Sequence, residues 1–332
     1  MKKMLAILFS VLFTLPLAGC KDEKKVLRIN EVTHSVFYAP LYLAEALGYF
    51  AEEGIEIEIT NGGGADNTMA AVLSGSADVG FCGPEAALYV LVGGSTDVPK
   101  VFGQLTKRDG SFLVSRVKED NFTFENLRGK EILAGRRGGV PAMTFETVLK
   151  EHGLKDGVDL TLNYDVAFNL MTSAFESGVA DYCTMFEPTA SEYEKAGKGY
   201  IVASVGEASG EIPYTCFMAK ESYITAHEEQ IEGFLRAVTK SVKYVMEHDS
   251  KTLAPLLVSY FESTSLDSIS TSLDSYKRID AWMTNLTMEE NSFSRLQDVI
   301  ENAGELARRV SLEELSVSAY SQKAYRDVYS EG

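Results

Sequence analysis

The sequence predicts an α/β protein built from two similar halves, each a helix-covered, mainly parallel sheet, followed by a helical C-terminal part. Three observations carry this reading. Apolar strand patterns alternate with amphipathic helices from Val26 to about Leu105, and the same alternation restarts at Glu131. In addition, Ser74-Gly75-Ser76-Ala77-Asp78 is echoed by Ser177-Gly178-Val179-Ala180-Asp181. Parallel strands need a crossover between them, and a helix is the usual one. Each copy of the echo closes a helix, opens a short apolar strand and precedes a proline-started helix, at Pro84 and Pro188. Proline suits a first helical turn because its φ is already set and its missing donor has no partner there.

The elements follow in order. In the first half the patterns predict a strand over 26–30 and an amphipathic helix over 40–52 stopped by Gly54. A period-2 strand with one acidic face follows in Ile55-Glu56-Ile57-Glu58-Ile59. A helix over 67–73, a strand over 78–82 and a helix over 84–92 complete this half. The second half reads as strand 131–134, helix 141–152 ending near Gly153, strand 160–164, helix 169–176, strand 182–186 and helix 188–196. From Glu221 onward the chain is helical, without strand signals. In such sheets ligands collect outside the carboxyl ends of the strands. That places the candidate cleft at the loops 33–39, 61–67, 82–85, 135–140 and 185–187.

A chain of 332 residues with 45% hydrophobic content can bury one large core or two moderate ones, so wholesale disorder is excluded. Lys+Arg 31 against Asp+Glu 48 gives a net charge of −17. A nucleic-acid partner needs a basic surface to replace phosphate counterions, and none is expected here.

Met1-Lys2-Lys3 is a short basic region, residues 4–17 are apolar, and Leu17-Ala18-Gly19-Cys20 ends the stretch with small residues before a cysteine. A run this short does not comfortably span about 30 Å of hydrocarbon as a mature helix and reads as a cleaved signal over 1–19. The four residues resemble the bacterial lipoprotein box, which implies a diacylated Cys20 as the new N-terminus. Residues 20–25 then form a charged tether, and the expected location is the extracytoplasmic face of the cell membrane, held by the lipid alone. The remaining Cys82, Cys183 and Cys216 show no CxxC spacing and lie in apolar runs. They read as buried structural cysteines, with neither a disulfide framework nor a metal site expected.

A family resemblance emerges from an ordered series of motifs. It runs through Ser35-Val36-Phe37-Tyr38-Ala39-Pro40-Leu41-Tyr42-Leu43-Ala44 and Gly48-Tyr49-Phe50-Ala51-Glu52-Glu53-Gly54-Ile55. Asn61-Gly62-Gly63-Gly64 and Gly75-Ser76-Ala77-Asp78-Val79-Gly80 complete it. Together these resemble the solute-binding proteins that deliver sulfonates, nitrate, taurine or thiamine-pyrimidine precursors to ABC importers. The resemblance implies a periplasmic-binding-protein-like clamp of two lobes that closes by a hinge on one small molecule. The chain would cross between lobes near residues 107–111 and 211–214. Lobe one would then hold 26–107 and 214–332, and lobe two 108–213. A permease and its ATPase are the implied partners. A pyrimidine-precursor synthase is similar around residues 80–86, where it carries a lysine for pyridoxal phosphate and a sacrificial histidine. Phe81-Cys82-Gly83-Pro84-Glu85 offers neither, and only Cys183 remains of that enzyme's cysteine-rich stretch. No catalysis and no cofactor are therefore expected.

The candidate site residues divide by chemistry. Gly135-Arg136-Arg137-Gly138-Gly139-Val140-Pro141 is a glycine-rich turn entering a helix, a natural anion cradle of free N–H groups. Arg136 and Arg137 either clamp an anion with Gly138 or neutralise an acidic surface. Glu187, before Pro188, either accepts hydrogen bonds from an aminopyrimidine or simply suits the helix dipole. Glu85, after Gly83 and Pro84, holds the same kind of place in the first half. Phe37, Tyr38, Phe186 and Tyr214 fall at cleft loops and offer faces for a flat ring, although each is also an ordinary core residue. Ser35 and Asn61 complete the set; Asn61 and Asn67 either contact ligand or cap a helix. Of His34, His152, His227 and His248, only His34 lies beside a cleft loop, and no nucleophile elbow accompanies it.

The expected ligand is a small planar heterocycle, thiamine-pyrimidine-like or thiamine-like, with riboflavin as a larger variant. The alternative is a small organic anion, such as a sulfonate, taurine or nitrate, centred on the arginine turn. Readings from other classes are a synthase, disfavoured above, and a ligand-sensing lipoprotein that signals to a receptor.

Overall fold

The computed structural model describes residues 25–330; the signal, Cys20 and all but the last residue of the tether lie outside them. Two five-stranded sheets organise the chain. The first contains β1 (Lys25–Glu31), β2 (Ile55–Asn61), β3 (Val79–Cys82) and β4 (Pro99–Thr106). The second contains β5 (Ser111–Ser115), β6 (Glu131–Leu133), β7 (Thr161–Leu162), β8 (Tyr182–Phe186) and β9 (Tyr200–Ser204). The chain then returns to the first sheet as β10 (Thr215–Lys220).

The strand orders are β2-β1-β3-β10-β4 and β7-β6-β8-β5-β9, the same pattern twice. In the first sheet β1 runs parallel to β2 and β3, while β10 runs antiparallel to β3 and β4. In the second, β6 runs parallel to β7 and β8, while β5 runs antiparallel to β8 and β9. Four strands of each sheet therefore point one way, and the reversed strand is the one the chain enters on arriving from the other sheet. The α/β, periplasmic-binding-protein-like architecture predicted from the sequence is present.

The internal echo has a shared structural cause. Gly75 and Gly178 both take a left-handed φ, +78° and +91°, where each preceding helix ends, a conformation that costs glycine nothing. Asp78 Oδ2 then accepts the Arg28 N–H at 3.0 Å, and Asp181 Oδ2 accepts the Glu131 N–H at 3.0 Å. Each aspartate thus fastens the incoming strand, β3 or β8, to its parallel neighbour, β1 or β6.

Boundaries differ in places. The helix predicted over 40–52 is two helices, Ala39–Ala46 and Tyr49–Glu52, interrupted at Leu47 and Gly48, the latter at φ +79°. The strand predicted over 160–164 is only Thr161–Leu162, because Asn163 Oδ1 turns back to accept the Asp165 N–H. Strands β4, β5, β9 and β10 had no predicted counterpart; β4 and β5 are buried along nearly their whole length and so show no alternation.

The C-terminal part is helical. The long helix Glu228–Glu247 packs against Ala39–Ala46 and Ala319–Ser330, over the first sheet. Leu266–Arg278 and Glu290–Asn302 reach toward the second sheet and touch the helices Thr189–Lys195 and Val140–Glu151. Lys195–Asp267 at 2.9 Å, Arg278–Glu207 at 2.6 Å and Lys150 Nζ to Asn302 O at 2.7 Å span that contact. Cys82, Cys183 and Cys216 are buried and free. Among the described residues no helix is long and apolar enough to cross a membrane, and no His/Cys/Asp/Glu group has a metal-binding arrangement.

Candidate functional site

The two sheets face each other across a cavity of about 510 Å³ of empty space, part of it open to solvent. From the first sheet it is lined by Val32 and Thr33 after β1, Tyr38, Gly64 and Ala65 after β2, and Gly83 and Glu85 after β3. Tyr214 and Thr215 join them at the start of β10. Because β10 is the reversed strand, its beginning lies level with the ends of its neighbours. From the second sheet come Arg136, Gly139, Val140 and Pro141 after β6, Phe168 after β7 and Phe186 closing β8. Every contributor thus sits at one edge of its sheet, where parallel strands deliver the chain to helix N-termini.

Glu85 is the most unusual group there. Its side chain is buried, at 0% exposure. Oε1 accepts the Val140 N–H across the cleft at 3.2 Å, while Oε2 is buried with no hydrogen-bond partner among the described residues. Burial pushes the carboxyl up to about 7, against the opposing pull of the Val140 N–H and of nearby Arg136. Gly83 makes room for it: a Cβ at that position would lie 2.0 Å from Oε2.

Aromatic rings form the rest of the wall. Phe186 lies 6.2 Å from Phe168 and 6.4 Å from Tyr214, centroid to centroid. Tyr38 packs on Phe81 at 4.4 Å. Burial raises the phenols of Tyr38 and Tyr214, so both stay protonated. The Tyr214 hydroxyl lies beside buried Asp109 without a hydrogen bond of ordinary geometry. Asp109 Oδ1 accepts both the N–H and the hydroxyl of Ser111, and burial nevertheless pushes its carboxyl up to about 7. Arg136 is half-exposed and pairs with Asp66 at 2.6 Å.

Six of the twelve residues named from the sequence therefore line this cavity: Tyr38, Gly83, Glu85, Arg136, Phe186 and Tyr214. The other six lie elsewhere, each for a visible reason. The Arg137 guanidinium covers the Tyr164 ring at 4.1 Å and faces a separate recess with Gly138. The Gly138 carbonyl accepts the Tyr89 hydroxyl at 2.8 Å. Asn61 Oδ1 accepts the Gly63 N–H at 2.8 Å and borders another recess with Glu31 and Tyr42. Ser35 Oγ caps the short turn Val36–Tyr38 by accepting the Phe37 N–H, and donates to the Glu187 carbonyl at 2.6 Å. Phe37 is fully buried behind the wall, 5.7 Å from Phe186 and 5.9 Å from Tyr214, with its carbonyl accepting from Trp282 Nε1 at 2.8 Å.

Glu187 is turned away from the cavity. Its carboxylate accepts the Ser191 N–H at 2.9 Å and the Ser191 hydroxyl at 2.7 Å, closing on its own helix. Burial raises its carboxyl, opposed by the Ser191 bonds. It borders an adjoining polar chamber that shares Thr33, Phe168 and Phe186 with the main cavity. Asn67 caps no helix N–H; its amide donates to the Gly62 carbonyl. Of the residues missed, Thr33, Gly64, Ala65, Gly139 and Val140 fall inside loops the topology had marked. Phe168 and Thr215 carried no signal, because β7 is two residues long and β10 had not been predicted.

A family model described as NMT1/THI5 like matches residues 36–252. The "Putative binding protein YtlA" of Bacillus subtilis (strain 168) is 38% identical over 316 residues, covering 95% of each chain. The 4-amino-5-hydroxymethyl-2-methylpyrimidine phosphate synthase of Aspergillus parasiticus is 24% identical over 226 residues, 63% of each chain. Among solved structures, the alkanesulfonate-binding protein SsuA of Xanthomonas axonopodis pv. citri, bound to MOPS, superposes with a TM-score of 0.72 at 18% identity. That superposition covers 89% of this chain and 98% of the other, a likeness of fold. On the family match and the YtlA identity, this chain belongs to the NMT1/THI5-like family.

Proposed function

We propose that this protein is an extracytoplasmic solute-binding lipoprotein that captures a small planar heterocycle, of the thiamine-pyrimidine-precursor or thiamine type, and delivers it to an ABC importer. The two sheets are the cores of two lobes, residues 26–107 with 214–332 and residues 108–213. The crossover segments near residues 107–111 and 211–214, joined by the Ile212 N–H to the Lys107 carbonyl at 2.9 Å, act as their hinge. Cys20 carries the lipid, and the permease with its ATPase is the partner. The observation that carries the reading is the cavity between the sheets, walled by Tyr38, Phe168, Phe186 and Tyr214 and holding one buried carboxyl with an unused oxygen. Flat apolar walls with a few placed polar atoms suit a heteroaromatic ring. The relatives named as a binding protein and as a pyrimidine phosphate synthase support the same class.

A second reading, a small organic anion, is favoured by Arg136 at the start of the helix Val140–Glu151 and by the solved structure named for alkanesulfonate. Two features weigh against it. Arg136 is already paired with Asp66, and an ionised Glu85 would repel an anion in the same cavity. Thermal unfolding with candidate ligands separates the readings, since a ligand at a hundredfold its Kd adds about 2.7 kcal/mol of stability. The heterocycle reading requires an aminopyrimidine or thiamine to raise the melting temperature. A rise with taurine or MOPS alone would replace it with the anion reading.

A further inference from the structure

The heterocycle reading leaves open what selects among flat rings, and the unused oxygen of Glu85 bears on that. Buried polar atoms are almost always paired, and an acceptor buried without a partner is destabilising until something donates to it. Glu85 Oε2 is such an atom: it is buried, it has no hydrogen-bond partner among the described residues, and its residue borders the cavity. Its position is not accidental slack. Gly83 has no side chain where one would strike the carboxyl, and Oε1 is tied to the Val140 N–H on the far side of the cleft.

We propose that Glu85 is the specificity-determining residue of the cleft. Its Oε2 accepts a hydrogen bond from an exocyclic amino group or protonated ring nitrogen of the ligand. At the same time Oε1 holds the N-terminus of the helix Val140–Glu151. One carboxyl therefore reads the ligand and joins the first sheet's side of the cleft to the second's. The ligand class that follows is an amino-bearing heteroaromatic, neutral or cationic; rings without a donor at that edge leave Oε2 unpaired and bind weakly. A site built to bond a donor rejects the analogue lacking it far more strongly than an apolar pocket rejects a missing methylene. The inference rests on the heterocycle reading and adds to it a residue, an atom and a direction of donation.

The test is a cycle between protein and ligand, run by calorimetry on the full chain in mild detergent. The probes are 4-amino-5-hydroxymethyl-2-methylpyrimidine, the same ring without its 4-amino group, and taurine. The wild type is expected to bind the amino ring at least tenfold more tightly than the ring lacking it. Glu85→Gln, nearly isosteric, is expected to shrink that ratio to within threefold. If Glu85→Gln fails to fold, Gly83→Ala carries the same comparison, because it displaces the carboxyl while keeping it. A wild-type preference that survives unchanged in a folded variant overturns the role of Glu85 and leaves the heterocycle reading standing. Binding of taurine with neither ring bound overturns both.

Discussion

Replacing Gly83 with alanine is predicted to unseat Glu85, and the size of the effect can be worked from the geometry. An ideal Cβ there lies 2.0 Å from Oε2, 2.8 Å from Cδ and 2.9 Å from Oε1 of Glu85, all closer than real contacts allow. Gly83 is not in a left-handed conformation, so the methyl itself brings no backbone strain. The carboxyl has to swing away, which breaks the 3.2 Å bond from the Val140 N–H and leaves that buried donor unpaired. The cost expected is about 1.5–3 kcal/mol, the range for a buried hydrogen bond to an ionisable group. Urea unfolding should show a lower midpoint with an unchanged slope. The decisive comparison is Gly83→Ala in a Glu85→Ala background, where no carboxyl remains to strike. There the substitution should cost less than about 0.5 kcal/mol, the level at which independent sites add. An equal cost in both backgrounds would refute the reasoning, because the methyl would then be clashing with something other than Glu85.

Glu85 and Asp109 both titrate near 7 in the folded protein, above their ordinary range, so the folded state holds more protons than the unfolded one between about pH 4.5 and 7. Stability should therefore fall as pH rises from 5 to 8, by up to roughly 1.4 kcal/mol per pH unit per group. The Glu85→Gln, Asp109→Asn double variant should flatten that fall in urea titrations at each pH. Phe37→Ala removes a fully buried ring and should cost about 3–5 kcal/mol by chemical denaturation. Phe168→Ala, half-exposed on the cavity wall, should weaken ring binding while costing less stability than Phe37→Ala. Cys20→Ala should move the protein from the detergent phase to the aqueous phase on partitioning, if the lipid is its sole anchor.

Much of the fold was legible because the signals were local. Pro84 and Pro188 started helices, Gly75 and Gly178 ended them, and the repeated aspartates had the same backbone partner in each half. Of the strands that escaped, β4, β5 and β10 are buried along nearly their whole length, and β10 joins a sheet whose other strands lie more than a hundred residues earlier in the chain. The cleft was legible as loops, since topology alone delivers those loops to one edge. The direction of each side chain was not. Glu187 looked like the stronger carboxylate from its place after an apolar strand, yet Ser191, one turn onward, satisfies both its oxygens. Glu85 occupies the same kind of place but has alanine at positions 86 and 87 and leucine at 88, so no side chain in its own first turn offers its carboxyl a donor. Arg136 and Arg137 are neighbours on a turn and point to different recesses, because Tyr164 supplies a ring for only one of them.

The central claim, that the cavity holds a flat nitrogen heterocycle, is tested most directly by native mass spectrometry of the full chain purified in mild detergent, before dialysis or refolding. Tight binding goes with slow release, and the account predicts a retained mass matching a pyrimidine, thiamine or flavin, lost on unfolding. A retained sulfonate, or an empty protein that gains mass only with taurine or MOPS, would contradict it and move the centre of the site to Arg136.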